Sequence, residues 1–244
     1  MPRYRLLDEV RGALILLVLI YHLLYDITLF FPTARGAMWL MKPDLWWLRA
    51  IVPGGFLLLC GACCHFSRSN LRRGLLCAVF AVGITAVSYL VTPQTPIRWG
   101  MLHLLAACLL LWCLLHRWGE KLPWGLGALL GFALFFFTAR LSYGTIGLGW
   151  RLPEALKNHN QLFILGFPTS GIGAADYFPL LPWSGLFFAG SCFGRGISLG
   201  WGKEFFTQSR SPGMARIGRH TLALYLLHQP VWFALLAGLR LWHG

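Results

Sequence analysis

The chain has 244 residues, 57% of them hydrophobic and only 12% charged, where an average soluble domain carries about 25% charged residues. That composition excludes a soluble globular fold and points to an all-α, polytopic transmembrane helical bundle, since helices satisfy their own backbone polar groups in lipid. The net charge of +13 suggests nucleic acid, but no soluble segment has a basic run with interleaved aromatics, so no nucleic-acid partner is expected.

Seven apolar segments, each near the twenty residues that a bilayer requires, read as spans: 10–31, 46–66, 72–91, 99–116, 122–139, 177–195 and 218–241. They account for nearly all the mass, so residues 1–244 read as a single membrane-embedded domain. The first segment is too long for a signal-peptide core and carries ionisable residues that such a core avoids, so it is expected to remain in the protein. With the N-terminus in the cytoplasm, the basic residues concentrate on the inner side, including Arg3, Arg5, Arg11, Arg68, Arg72, Arg73, Arg195, Arg216 and Arg219. That is the bias of the positive-inside rule, here expected in a bacterial inner membrane.

The first span holds the most informative pattern. Ionisable groups in a bilayer cost roughly 2.5 kcal/mol or more each and usually serve a function. His22 lies eleven residues after Arg11, so it returns to within about 20° of the same helical face and sits about 16 Å deeper. Asp26 is one turn further on that face. A carboxylate that accepts from one ring nitrogen of His22 would fix its tautomer and raise its basicity, which suits a general base or a histidine that carries an acyl group. A buried polar pair that glues helices together is the bland alternative. Arg11 can also pair with Asp8, three residues before it.

The second span contains Cys60, Cys63, Cys64 and His65. This spacing resembles a metal site, but no second Cys or His pair matches it, so no metal is expected. All seven cysteines fall inside spans, which argues against a disulfide framework. In the fourth span His103 sits one turn from the outer end, as an acceptor-binding residue or an interfacial hydrogen-bonder. The long connection 140–176 lies over the membrane core, where an acceptor could be held. Its apolar part, 161–173, is too short to span and reads as re-entrant or interfacial. Asp176, at the start of the sixth span, suits acceptor hydroxyls, or caps its own helix.

The last span opens with Gly218, Arg219 and His220. His228 lies ten residues, about 15 Å, beyond Gly218, level with His22 if the helices run side by side. Pro230 removes a backbone donor there and frees a carbonyl near residue 226.

Arg11, ten residues and His22 resemble the signature of the acyltransferase family three membrane proteins. Over most of its length the chain is similar to the bacterial branch of the heparan-α-glucosaminide N-acetyltransferase catalytic-domain family. The matching pieces are Leu7 to Gly12, Trp99 to His103, Asp176 to Trp183, and Gly218 to His220 through His228 to Pro230. The resemblance implies an acyl-CoA-dependent acyltransferase. It would move an acyl group, most simply acetyl from acetyl-CoA, out of the cytoplasm to an extracytoplasmic glycan or amino-sugar amine or hydroxyl. His22, Asp26 and His228 would be catalytic. Arg11, Arg72, Arg73 and Arg219 would hold the donor phosphates, and His103 and Asp176 would face the acceptor. Lysosomal members are thought to use a histidine in the loop after the first span. Here the loop from Pro32 to Leu45 has none, so His22 would serve, by direct transfer or through acyl-histidine. Two other readings fit the residues: a carrier for a small anion or lipid-linked sugar, and a haem-binding electron carrier using His22 with His103 or His228. A homo-oligomer is compatible with all three.

Overall fold

The computed structural model describes residues 4–31, 46–157, 159–169 and 176–243. Arg3, the connection 32–45 and the end of the 161–173 segment lie outside the described residues. Nine α-helices follow in chain order among the described residues: α1 (Arg5–Phe30), α2 (Trp46–Ala62), α3 (Asn70–Val91), α4 (Met101–Gly119), α5 (Trp124–Thr138), α6 (Leu180–Ser198), α7 (Lys203–Thr207), α8 (Pro212–Arg219) and α9 (Thr221–His243). Helices α1 to α6 and α9 correspond to the seven expected segments, with shifted ends.

Five segments are long and apolar enough to cross a membrane: Arg5–Phe30, Asn70–Val91, Met101–Gly119, Trp124–Tyr143 and Thr221–Trp242. Ala50–His65 is apolar but shorter. Helix α6 is interrupted by the non-helical Leu181, and glycine and serine dilute its hydropathy. The reason is its position: most residues from Pro182 to Ile197 are buried against protein. By contrast, α3 leaves Val79, Val82 and Leu90 exposed, and α9 leaves Leu227, Val231 and Leu235 exposed, as lipid-facing surfaces do.

The chain forms two compact units, residues 1–56 with 202–244, and residues 57–201, with the division inside α2. In the first unit α1 packs on α7, α8 and α9. Asp8 in the first turn of α1 suits the positive end of the helix dipole. Gly12 lets α8 come within backbone contact, since a Cβ there would lie 3.2 Å from the Gly218 nitrogen and nearer still to the Met214 carbonyl. Glu9 is buried and clamps the α7–α8 connection by accepting from Ser209 Oγ at 2.8 Å and from the Arg210 N–H at 2.9 Å. The last span does not open where the sequence places it. Helix α8 starts at Pro212, a residue preorganised for a first helical turn, and ends at Arg219. His220 leaves helical geometry, and α9 begins only at Thr221.

In the second unit α5 and α4 pack on α6, and α3 packs on α4. Small residues permit these crossings. A Cβ on Gly131 would lie 2.6 Å from the Gly185 carbonyl, and one on Gly194 would lie 2.7 Å from Ala62 Cα. Ser69 caps α3 by accepting from the Arg72 N–H at 3.2 Å. Part of the long connection is ordered by a two-stranded antiparallel hairpin, Thr145–Ile146 with Trp150–Arg151. Around Gln161 the chain makes a 3-10 turn, Asn160–Leu165, and no spanning helix.

Candidate functional site

The first unit carries the densest cluster of buried polar groups, where α1 meets α9. The rings of His22 and His228 lie 4.8 Å apart, centroid to centroid, tilted by 58°. The depth match that the sequence suggests is therefore found. His228 is 7% exposed and Asp26 is fully buried.

His228 Nδ1 sits 2.6 Å from the Tyr225 carbonyl oxygen. A carbonyl only accepts, so Nδ1 carries the proton and donates. The proton-free Nε2 is buried with no protein partner among the described residues. A tautomer fixed by a backbone carbonyl, with the other nitrogen bare, is the arrangement that a neutral imidazole base needs.

Asp26 does not hydrogen-bond His22. Its Oδ1 accepts a long hydrogen bond, 3.4 Å, from Gln229 Nε2, and its Oδ2 is buried without a partner among the described residues. The physical reason lies in α9, which presents an amide beside the carboxylate, while the His22 ring turns to the rings of Tyr21 and His228. Gln229 is the residue that sequence reading passes over. A glutamine in an apolar span was the available signal, because an unpaired amide is costly in lipid. Trp232, one turn after His228, also has its Nε1–H buried without a partner among the described residues.

At the far end of α1, Arg11 Nη1 donates to Asp8 Oδ1 at 3.1 Å, the pairing that their spacing predicts. Arg219, the last residue of α8, is exposed. Arg11 and Arg219 each neighbour a glycine of the α1–α8 crossing, Gly12 and Gly218.

In the second unit Arg72 is exposed near the start of α3. Arg73 has both terminal nitrogens engaged, with Asn70 Oδ1 at 3.1 Å and Cys60 Sγ at 3.5 Å. Arg195 donates to the Leu122 carbonyl at 2.6 Å. None of the seven cysteines is in a disulfide, and among the described residues no group of three or more His, Cys, Asp or Glu is placed to hold a metal ion.

His103 and Asp176 meet at the start of α4. His103 Nδ1 accepts from the Gly100 N–H at 3.2 Å, so Nε2 holds the ring proton and donates to Thr85 Oγ1 at 3.1 Å. Thr85 Oγ1 in turn donates to the Ile97 carbonyl at 2.7 Å. Both ring nitrogens are thus engaged, the hydrogen-bonding alternative for this residue. Asp176 is a cap, but of α4 and not of its own helix: Oδ2 accepts from the Met101 N–H at 3.2 Å. Gly100 leaves it room, since a Cβ there would lie 2.5 Å from that oxygen. Burial pushes the Asp176 carboxyl up to about 6, and the Met101 hydrogen bond only partly offsets it. The next residue, Tyr177, stacks on Phe163 at 4.5 Å and donates to the Phe163 carbonyl at 2.6 Å, which ties the long connection to this corner.

The family model that describes the heparan-alpha-glucosaminide N-acetyltransferase catalytic domain matches residues 3–230. No curated protein and no solved structure matches.

Proposed function

Since the chain belongs to the heparan-alpha-glucosaminide N-acetyltransferase catalytic family, a family of membrane acetyltransferases, we propose that it moves an acetyl group from cytoplasmic acetyl-CoA to an amine or hydroxyl of an extracytoplasmic sugar. In this reading residues 1–244 act as one membrane-embedded acyltransferase of seven spans, with a cytoplasmic N-terminus, in a bacterial inner membrane.

The observation that carries the proposal is the unpaired Nε2 of His228 against the ring of His22, deep on the α1–α9 face. A neutral Nε2 takes the proton from the acceptor as its nitrogen or oxygen attacks the thioester carbonyl. The carbon–sulfur bond breaks, and the proton passes to the departing coenzyme A thiolate. Desolvation makes such a base effective, because water does not compete for the lone pair. His22 completes the pair, either by sharing the proton or by carrying the acetyl group between two half-reactions. Asp26, through its free Oδ2, holds the acceptor.

Arg11, Arg72, Arg73 and Arg219 are the arginines that this reading assigns to the donor phosphates. Arg73, already bonded to Asn70 and Cys60, supports its exposed neighbour Arg72 in that role. On the acceptor side, Asp176 keeps Oδ1 available, and His103 fixes the loop that presents it.

The test is single-turnover transfer in proteoliposomes with labelled acetyl-CoA outside and an amino sugar inside. Stoichiometric release of coenzyme A with label on the enclosed sugar is expected. Hydrolysis alone, or unchanged acetyl-CoA, refutes the reading.

A further inference from the structure

Among the described residues, the buried polar atoms of α1 and α9 that have no protein partner show a definite donor–acceptor balance. Asp26 Oδ2, Gln229 Oε1 and His228 Nε2 accept, and Trp232 Nε1–H donates. The amide assignment is fixed by its surroundings, because only an N–H of Gln229 can face the Asp26 carboxylate oxygen favourably. His228, Gln229 and Trp232 lie three and four residues apart, so they share a face of α9. Buried polar atoms without partners are costly, and a polar ligand that reached these four would relieve them.

A neutral amine beside a hydroxyl on the neighbouring carbon closes that balance. The amine brings two N–H donors, one for His228 Nε2 and one for Asp26 Oδ2, and keeps its lone pair for attack. The hydroxyl donates to Gln229 Oε1 and accepts from Trp232 Nε1–H. An isolated amine leaves Gln229 and Trp232 unmatched. We propose that Gln229 and Trp232 are specificity-determining residues that read a hydroxyl on the carbon next to the acylated amine. This rests on the α1–α9 face being the transfer site.

The test uses the full chain in detergent, with the methyl glycoside of 2-amino-2-deoxyglucose and its 3-deoxy analogue as probes. By calorimetry the parent should bind the hydroxylated probe about tenfold more tightly, the size of two modest net hydrogen bonds. Trp232→Phe keeps an aromatic ring and removes the donor, and Gln229→Leu removes the acceptor. Each leaves one of the two hydroxyl bonds in place, so each should lower the ratio to about threefold, with affinity for the deoxy probe retained. In transfer assays the loss should fall on KM for the hydroxylated probe, with kcat largely kept. Should Gln229→Leu fail to fold, because Asp26 loses its amide, Trp232→Phe decides alone. A ratio unchanged in Trp232→Phe, a parent that does not discriminate, or no saturable binding overturns the inference. Discrimination of the expected kind without acetyl transfer removes the proposed reaction and leaves the subsite. Transfer with the parental ratio kept in the variants does the reverse.

Discussion

His228 Nδ1 donates to the Tyr225 carbonyl at 2.6 Å, one turn earlier in the same helix. The bond joins the imidazole to backbone just ahead of Pro230, where the missing N–H loosens the helix. It holds the ring in one tautomer without a carboxylate behind it. The basic nitrogen is thereby aimed by α9 itself, and Asp26 is left to its amide partner Gln229.

Substitution of either histidine should therefore stop transfer. His228→Ala and His22→Ala should each lower the single-turnover rate by about 10²- to 10⁴-fold, the usual contribution of a positioned base, with acetyl-CoA binding retained. Asp26→Asn should cost less in kcat and more in acceptor KM, since it changes a holding group and leaves both rings in place. Protein-bound acetyl that accumulates in His228→Ala and is absent from His22→Ala would identify His22 as a covalent carrier. Near-parental rates in folded, donor-competent His22→Ala and His228→Ala would remove the pair from the chemistry.

Arg73 bonds to Asn70 and Cys60, whereas Arg11 pairs with Asp8 near the start of α1 and Arg72 and Arg219 are exposed. Arg11→Ala, Arg72→Ala and Arg219→Ala should each weaken coenzyme A binding several-fold at low salt and less at high salt, because exposed phosphate contacts are screened. Arg73→Ala should instead lower the melting temperature, since it removes the bonds to Asn70 and Cys60. Calorimetry in low and high salt, alongside thermal melts, checks both. Unchanged affinity in the first three variants would reduce those residues to topology signals.

Much of this arrangement was legible in the sequence, and the reasons are specific. Apolar length marked the helices, because a span must be long and hydrophobic whatever packs on it. Residue counting placed His22 and His228 at one depth, because helical rise is fixed. Partner choice was hidden, since it depends on a second helix. Nothing local tells Asp26 to prefer Gln229 over His22, or Asp176 to cap α4, a helix that starts 75 residues before it. The break at His220 was obscured for the same reason, as it follows from how closely Gly218 packs on the backbone of α1.

Asp176 supplies a pH signature of its own. Its carboxyl is pushed up to about 6 by burial, above the unfolded value of about 3.9, so the folded protein binds that proton more tightly. The associated stability is present below about pH 4 and is lost as pH climbs to about 6, with no further change above. Melting temperatures should fall across that window, by the equivalent of about 3 kcal/mol, and Asp176→Asn should flatten the slope while still accepting from Met101. An equal slope in both proteins would assign the pH dependence to another group.

Close packing in the second unit should be unforgiving where backbone meets backbone. Gly194 faces Ala62, and an added Cβ would lie 2.7 Å from its Cα, closer than real contacts allow. No flexible side chain is there to yield, so Gly194→Leu must push α6 and the end of α2 apart. That should cost about 2–3 kcal/mol or more and shift detergent-extracted protein toward aggregate. Gly125→Leu, on α5 with nothing near its Cβ direction, is the matched control. Its elution profile should stay monodisperse apart from a small change in helix propensity. Equal profiles for the two variants on fluorescence-detected size exclusion would show that the α2–α6 crossing tolerates separation. The small-residue account of α6's low hydropathy would then lose its basis.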